Sequence, residues 1–91
     1  MTKILVVCGN GLGTSFIVSM NIQKILKELN LEADVSHTDL ATAKTEVADF
    51  YIGSKEIVEN LEDGQKKVIY LTNIMDKVEI RKALETNLME D

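Results

Sequence analysis

Residues 3–15 of the chain read KILVVCGNGLGTS, an apolar run followed by one cysteine and three glycines within five positions. The apolar run, residues 3–7, is short and unbroken, as in a strand of a parallel sheet that is covered on both faces. Apolar residues then recur at helical spacing over residues 15–30. This part of the chain therefore predicts a buried strand, a glycine-rich turn and a helix.

The predicted first helix has an apolar stripe on one side and polar residues on the other. The stripe consists of Val18, Ile22, Ile25, Leu26 and Leu29, and the polar side carries Ser19, Gln23, Lys27 and Glu28. Three further apolar residues, Phe16, Ile17 and Met20, lie off the stripe. They either complete the core, which is the interpretation we prefer, or line a face for a partner protein.

Strand and helix patterns alternate along the rest of the chain. Strands are predicted over residues 32–37, 50–53 and 67–71, and helices over residues 39–47, 54–64 and 76–88. Asp39 and Ser54 are expected to cap two of these helices, and Gly64 to end the second of them. Asp76, with Glu79 three residues later, predicts a capping box for the last helix. That helix is expected to bury Ile80, Ala83, Leu84 and Leu88.

This alternation predicts an α/β fold, in which residues 1–91 form a single domain with a four-stranded parallel sheet and helices on both faces. Right-handed crossovers restrict the possible topologies. We predict the strand order 2-1-3-4, because it places the first strand centrally and creates a switch point beside its carboxyl end. Ligands of open α/β sheets bind at such a point.

Composition narrows the class of protein. The 91 residues are 45% apolar, which allows one modest core, and the formal net charge of −5 argues against duplex nucleic acid or anionic lipid as the main partner. A single cysteine cannot form an internal disulfide and suits a reducing compartment. The amino-terminal apolar run is too short for a signal peptide or a membrane span. We therefore expect a cytoplasmic protein that does not insert into the membrane.

Chemistry concentrates in residues 8–15. Glycines let successive backbone N–H groups converge on one point, and the following helix adds its positive amino-terminal end, so the turn from Gly9 to Gly13 favours phosphate. Thr14 and Ser15 can add hydroxyl donors or cap the helix. A helix amino terminus also lowers the pKa of a nearby thiol, and the thiolate is a nucleophile. Cys8 is therefore the candidate catalytic residue.

Several other kinds of site are disfavoured because residues that they normally require are missing. A cysteine phosphatase carries an arginine six residues after the cysteine, where this chain has Thr14. The Gly-x-Gly-x-x-Gly fingerprint of dinucleotide-binding folds, begun at Gly9, also meets Thr14 where it requires its last glycine. No Gly-Lys-Ser/Thr ends the turn, as a Walker motif requires, and Cys8 and His37 alone are too few ligands for zinc. We expect neither a metal nor a cofactor.

With this turn, the chain resembles the B components of Enzyme II in the bacterial phosphoenolpyruvate-dependent sugar phosphotransferase system (PTS). Their signature is an apolar strand, then Cys-Gly-x-Gly-x-Gly-x-Ser, then a helix, and residues 4–15 match it. The match is closest to the branch of ascorbate and galactitol type. The third glycine and the serine favour its ascorbate-like group.

The resemblance implies a phosphocarrier. Cys8 would accept a phosphoryl group from a phosphohistidine of the A component and pass it to a sugar or sugar acid presented by the membrane-embedded C component. The residues that would surround the phosphoryl group are Gly9, Asn10, Gly11, Leu12, Gly13, Thr14 and Ser15. Two alternatives stay open, a low-molecular-weight cysteine phosphatase and an anion-binding regulatory module without enzymatic activity.

The roles of a few other residues are also left open. Leu12 is expected at the exposed tip of the turn, where it either folds back or contacts a partner. His37 ends the predicted second strand, as a solvated residue or, less simply, as a proton shuttle. Ser54 and Asn73 follow the third and fourth strands on the same edge as Cys8. Either could reach a bound phosphate, although a helix cap for Ser54 and a turn for Asn73 are simpler roles.

Overall fold

The computed structural model describes residues 2–8, 12–64 and 66–89, which alternate between strand and helix as predicted. The strands are β1 (Thr2–Cys8), β2 (Ala33–Asp39), β3 (Phe50–Ser54) and β4 (Val68–Leu71). The helices are α1 (Leu12–Glu28), α2 (Leu40–Ala43), α3 (Lys55–Val58) and α4 (Lys77–Leu84). A 3₁₀ turn (Glu59–Leu61) extends α3, and a π-helical turn (Glu85–Met89) extends α4.

The four strands form one parallel sheet in the order β2-β1-β3-β4, which confirms the predicted topology. β1 is flanked by β2 on one side and by β3 on the other, so Val6 pairs with His37 and with Ile52. The switch point of the sheet therefore lies beside the carboxyl end of β1, where Cys8 is the last residue of the strand.

The core has two layers, one on each face of the sheet, because successive side chains of a strand point to opposite faces. Ile4 and Val6 belong to the layer under α1 and α4, whereas Leu5 and Val7 belong to the layer under α2 and α3. All four side chains are buried. This arrangement explains why the apolar run of β1 is unbroken.

The apolar stripe of α1 is confirmed. Val18, Ile22, Ile25 and Leu26 are buried and Leu29 packs against the same core layer. The prediction for Ser19 is wrong, because this side chain is buried rather than on the outer face. The buried stripe of α1 is therefore one position wider than its apolar residues indicate. Burial of a serine is tolerated here, since no buried side-chain polar atom of the described residues lacks a hydrogen bond.

Two boundaries around Asp39 differ from the prediction. β2 continues two residues past His37, to Asp39, which pairs with Cys8. Asp39 does cap α2, as predicted, but that helix ends at Ala43 instead of residue 47. The hydroxyl of Tyr51 explains the early end, because it donates to the carbonyl of Glu46 and accepts the N–H of Ala48 at 3.1 Å. The backbone of Glu46 and Ala48 is thereby held in a loop and does not continue α2.

The helical segment after β3 is also shorter than predicted. It ends with the 3₁₀ turn at Leu61, and Gly64 lies beyond it in a bend, with a φ of +83° that favours glycine. At the last helix the predicted cap is confirmed, since the Asp76 carboxylate accepts the N–H groups of Val78 and Glu79 at 3.0 and 3.3 Å. Ile80 and Leu84 are buried, as predicted, whereas Ala83 and Leu88 are only partly buried and pack against the same core layer.

The predicted capping box at α4 is only half present. The carboxylate of Glu79 does not reach back to Asp76; it accepts the N–H groups of Thr72 and Asn73 at 2.7 and 2.8 Å. The bond from Thr72, followed by that from Asn73, lowers the pKa of Glu79. Glu79 therefore holds the connection between β4 and α4 at the carboxyl edge of the sheet.

We expect Glu79→Gln to lower the free energy of unfolding by about 1 kcal/mol at pH 7, since an amide replaces a carboxylate that accepts two N–H groups. The pKa of Glu79 is lower in the folded state, so its contribution is present above the pKa of the unfolded chain and is lost as the pH falls through the folded value. The difference between the two proteins should therefore shrink below about pH 4. Urea denaturation at several pH values measures it.

Glu32→Gln is the matched control for this experiment, because Glu32 is exposed in the connection between α1 and β2. Its stability should equal that of the wild type at every pH. A Glu79→Gln protein as stable as the control at pH 7 would contradict the structural role of the carboxylate.

Candidate functional site

Cys8 lies where three features of the fold meet. It is the last residue of the central strand, it pairs with Asp39 of β2, and α1 begins four residues later at Leu12. The first four backbone N–H groups of an α-helix have no partner within the helix. Within the described part of α1 these N–H groups belong to residues 12–14, so a set of main-chain donors begins four residues after the end of β1.

The structure corrects the predicted extent of the turn. Leu12, Gly13, Thr14 and Ser15 form the first turn of α1, so the helix predicted from Ser15 begins three residues earlier, and Leu12 and Gly13 of the predicted turn belong to it. Sequence reasoning counted Gly13 as a loop residue, but a glycine inside a helix costs only about 1 kcal/mol. Leu12 therefore begins a helix instead of standing at a loop tip. Gly9, Asn10 and Gly11 lie outside the described residues.

The two strands beside β1 each end in a polar residue. On one side, the Asp39 carboxylate accepts the N–H of Thr42 at 2.7 Å, and this bond lowers the pKa of Asp39. On the other side, Ser54 occupies the N-cap position of α3, as predicted. Its hydroxyl makes no capping hydrogen bond within the described helix, so the predicted position is confirmed but the predicted capping bond is absent there. Among the described residues, the Asp39 side chain is thus bonded to the helix that it caps, whereas the Ser54 side chain is not.

His37 and Asn73 have structural surroundings of their own. His37 is half-buried two residues before the end of β2, with its ring edge-on to Phe16 at 5.7 Å between centroids, so the prediction of a solvated strand end is wrong. The Asn73 side-chain oxygen accepts the N–H of Met75 at 3.0 Å, which confirms its predicted turn role.

An exposed apolar surface lies on the first half of α1. Phe16, Ile17 and Met20, together called the apolar face of α1, are 52%, 45% and 51% exposed. The preferred prediction that they belong to the core is therefore wrong. Phe16 and Met20 are four residues apart and so lie on one side of the helix. This face begins one turn from the start of α1.

Gly53 is a residue that sequence reasoning missed. A methyl group at this position would lie 2.6 Å from the carbonyl oxygen of Val7 and 3.0 Å from Val58 Cγ1. The carbonyl of Val7 belongs to the peptide bond that leads into Cys8. A glycine inside a predicted strand often marks such a close approach of two backbones, and this signal could have identified Gly53.

Two surface clefts of the described residues, of about 520 and 420 Å³, lie away from Cys8. One is between α1 and the start of β2, and the other is beside the connections that lead into β3 and β4. Both are at the amino edge of the sheet, opposite the switch point. The polar groups and main-chain donors around Cys8 therefore remain the candidate site.

The fold and the position of Cys8 at its switch point can now be compared with those of known proteins. The chain belongs to the family described as PTS system, Lactose/Cellobiose specific IIB subunit, whose sequence profile matches residues 3–86. The lactose-specific IIB component domain from Streptococcus pneumoniae superposes with a TM-score of 0.63 over 97% of this chain and 95% of that one, at 20% identity. This likeness confirms the fold.

Within this class, the relatives point to one type. The Ascorbate-specific PTS system EIIB component of Mycoplasma pneumoniae is 34% identical over 84 residues, which cover 89% of this chain and 88% of the relative. That of Salmonella typhimurium is 31% identical over 85 residues, covering 90% and 84%. The predicted resemblance is confirmed: the chain is an ascorbate-like EIIB component that takes part in sugar phosphotransfer. None of its described helices is long and apolar enough to cross a membrane.

Proposed function

We propose that this chain is a cytoplasmic phosphocarrier in which Cys8 receives a phosphoryl group from the A component and passes it to a sugar or sugar acid. The observation that carries the proposal is the position of Cys8, at the end of the central strand and four residues before the start of α1, whose first N–H groups have no partner within the helix. Main-chain donors at a helix start bind phosphate oxygens and favour negative charge. Membership of the IIB family supports the same role.

The proposed chemistry consists of two displacements at phosphorus. In the first, the Cys8 thiolate attacks the phosphohistidine of the A component; an S–P bond forms, the N–P bond breaks, and the imidazole nitrogen keeps the electron pair. In the second, a hydroxyl oxygen of the substrate attacks; an O–P bond forms, the S–P bond breaks, and the thiolate leaves. The hydroxyl proton passes to a base or water at the acceptor site. The backbone N–H groups stabilise the equatorial oxygens.

A carrier suits these residues better than a hydrolase. A cysteine phosphatase clamps the phosphoryl oxygens with an arginine, and Thr14 occupies that position in the sequence. No lysine or arginine occurs between Cys8 and Gln23. A site that holds phosphate mainly through main-chain donors can keep the group until the next acceptor arrives. The proposed acceptor is presented by the membrane C component, and the ascorbate-specific relatives favour an ascorbate-like sugar acid.

The apolar face of α1 is the proposed docking surface for the A and C components, which would use it in turn. It lies on the helix that starts beside Cys8, and exposed aromatic residues and methionines suit contacts with more than one partner. We expect Phe16→Ser to lower the second-order rate of phosphoryl transfer from the A component about tenfold, with little change in stability.

Val47→Ser is the control for Phe16→Ser, because Val47 is an exposed apolar residue in the connection between α2 and β3, at the opposite edge of the sheet. Rapid-quench measurements with increasing A component give the rates. Equal rates for both variants and the wild type would exclude the apolar face of α1 as the docking surface.

The proposed function is tested by intact-mass spectrometry. The wild-type chain is incubated with phosphoenolpyruvate, the general phosphotransferase proteins and candidate A components, and is then alkylated with iodoacetamide. We expect one phosphate adduct, protection of Cys8 from alkylation, and return of the phosphate when unphosphorylated A component is added. A chain that carries no phosphate, and whose Cys8 is fully alkylated, after incubation with every candidate A component would overturn the proposal.

A further inference from the structure

Ser54 has a hydroxyl that the described part of the fold does not use. A serine at an N-cap position ordinarily accepts an N–H of the helix that follows. Ser54 has the extended backbone of an N-cap, with φ −67° and ψ 146°, but its side chain makes no such bond within the described helix. The residue is half-buried at the carboxyl end of β3. Its hydroxyl is therefore available to a ligand at this edge of the sheet.

The register of the sheet places Ser54 level with Cys8. Val6 pairs with Ile52, and Cys8 and Ser54 each lie two residues further along their strands. The close approach of Gly53 to the carbonyl of Val7 shows that the two strands stay adjacent beyond the last ladder pair. Neighbouring strands are about 5 Å apart, a distance that a phosphoryl group and one hydrogen bond can span.

Ser54 also lies on the face of the sheet that α1 covers. Leu71, which pairs with Ser54, and Ile52, two residues earlier on the same strand, both belong to the core layer under α1 and α4. Side chains two apart on a strand share a face, so Ser54 projects towards the side of the sheet that α1 covers. The main-chain donors at the start of α1 are on this side as well.

On the other flank of Cys8, Asp39 is less suited to bind an anion. Its carboxylate carries a negative charge, which would repel phosphate, and it is already bonded to the N–H of Thr42. A serine hydroxyl is neutral and can donate. Of the two residues that end the strands beside β1, Ser54 is therefore the one that fits a phosphoryl oxygen.

We infer that the Ser54 hydroxyl donates a hydrogen bond to an equatorial oxygen of the phosphoryl group while Cys8 accepts and carries it. This inference rests on the proposed function. The S–P bond forms and the N–P bond breaks as described above; Ser54 keeps its proton and forms no covalent bond. Ser54 is thus a catalytic residue that adds a side-chain donor to the main-chain donors of α1.

The test compares Ser54→Thr with Ser54→Val, which have nearly the same shape but differ in the hydroxyl, and includes Ser54→Ala. The phosphoryl donor is the A component that loads the wild-type chain. Loss of one donor to a charged oxygen should slow phosphoryl transfer to Cys8 at least about tenfold in the valine and alanine variants. The threonine variant should stay within about threefold of the wild type. Ser36→Ala is the matched control, since Ser36 is half-buried on β2 and pairs with Leu5 of the opposite core layer.

Two further measurements separate catalysis from a structural role. The melting temperature and the alkylation rate of unphosphorylated Cys8 should be the same in the threonine and valine variants, because the hydroxyl acts only on the phosphoryl group. Equal transfer rates in these two variants, with the wild type phosphorylated on Cys8, would overturn the role of Ser54 alone. Absence of phosphate on Cys8 of the wild type would overturn the proposed function and this inference together.

Discussion

Replacing Cys8 by serine should abolish phosphoryl transfer, with the rate from the A component falling at least about 10⁴-fold. A serine hydroxyl is a weak nucleophile unless a neighbouring base removes its proton. The nearest candidate on β2, the Asp39 carboxylate, is engaged with the N–H of Thr42. The variant should therefore stay unphosphorylated when the wild type is fully loaded. Transfer of radioactive phosphate from phosphoenolpyruvate through the A component measures this.

Stability provides the control for Cys8→Ser. The substitution changes one atom at the end of β1, so the melting temperature should stay within a few degrees of the wild-type value. Binding of the unphosphorylated A component should persist, because the proposed docking surface is the apolar face of α1. A folded Cys8→Ser protein that carries phosphate to the acceptor at the wild-type rate would rule out Cys8 as the carrier.

Gly53→Ala should be the most damaging small substitution in the sheet. The added methyl group would lie 2.6 Å from the backbone oxygen of Val7, and Val58 at 3.0 Å blocks movement in the other direction. Because a backbone oxygen cannot rotate away, the strands must separate, at a cost of about 2–3 kcal/mol. For a domain of this size, the melting temperature should fall by about 10–20 °C. Phosphoryl transfer should also slow, since the displaced peptide bond leads into Cys8.

Gly64→Ala is the matched glycine control. Among the described residues, no heavy atom beyond its chain neighbours lies within 4 Å of a methyl group on Gly64, so the expected cost is that of the left-handed backbone with φ of +83°, about 1 kcal/mol. Thermal denaturation of both variants followed by circular dichroism tests the difference. A Gly53→Ala protein as stable as Gly64→Ala would show that β1 and β3 do not need their close approach.

The parts of the fold that follow from local patterns were predictable. An unbroken apolar strand, a helix with an apolar stripe, and capping residues such as Asp39 and Asp76 each depend on neighbours in the sequence. The alternation of these elements, with the handedness of parallel crossovers, led to the order β2-β1-β3-β4. Cys8 stood out for the same reason, because strand, glycine-rich turn and helix are consecutive.

The remaining features depend on contacts between distant parts of the chain. Glu79 bonds to Thr72 and Asn73 instead of its own helix start because the end of β4 presents two N–H groups within reach. Sequence periodicity left open whether the apolar face of α1 is buried, since only the packing of α1 on the sheet decides which side meets the core.

The sequence alone was sufficient for the order of elements, the family resemblance and the candidate nucleophile, because each is encoded in residues that follow one another. Only the tertiary structure revealed that β3 approaches the backbone of β1 at Gly53 and that Ser54 stands level with Cys8. The physical reason is that strand register is set by side chains packing across the whole sheet, and no short segment contains that information.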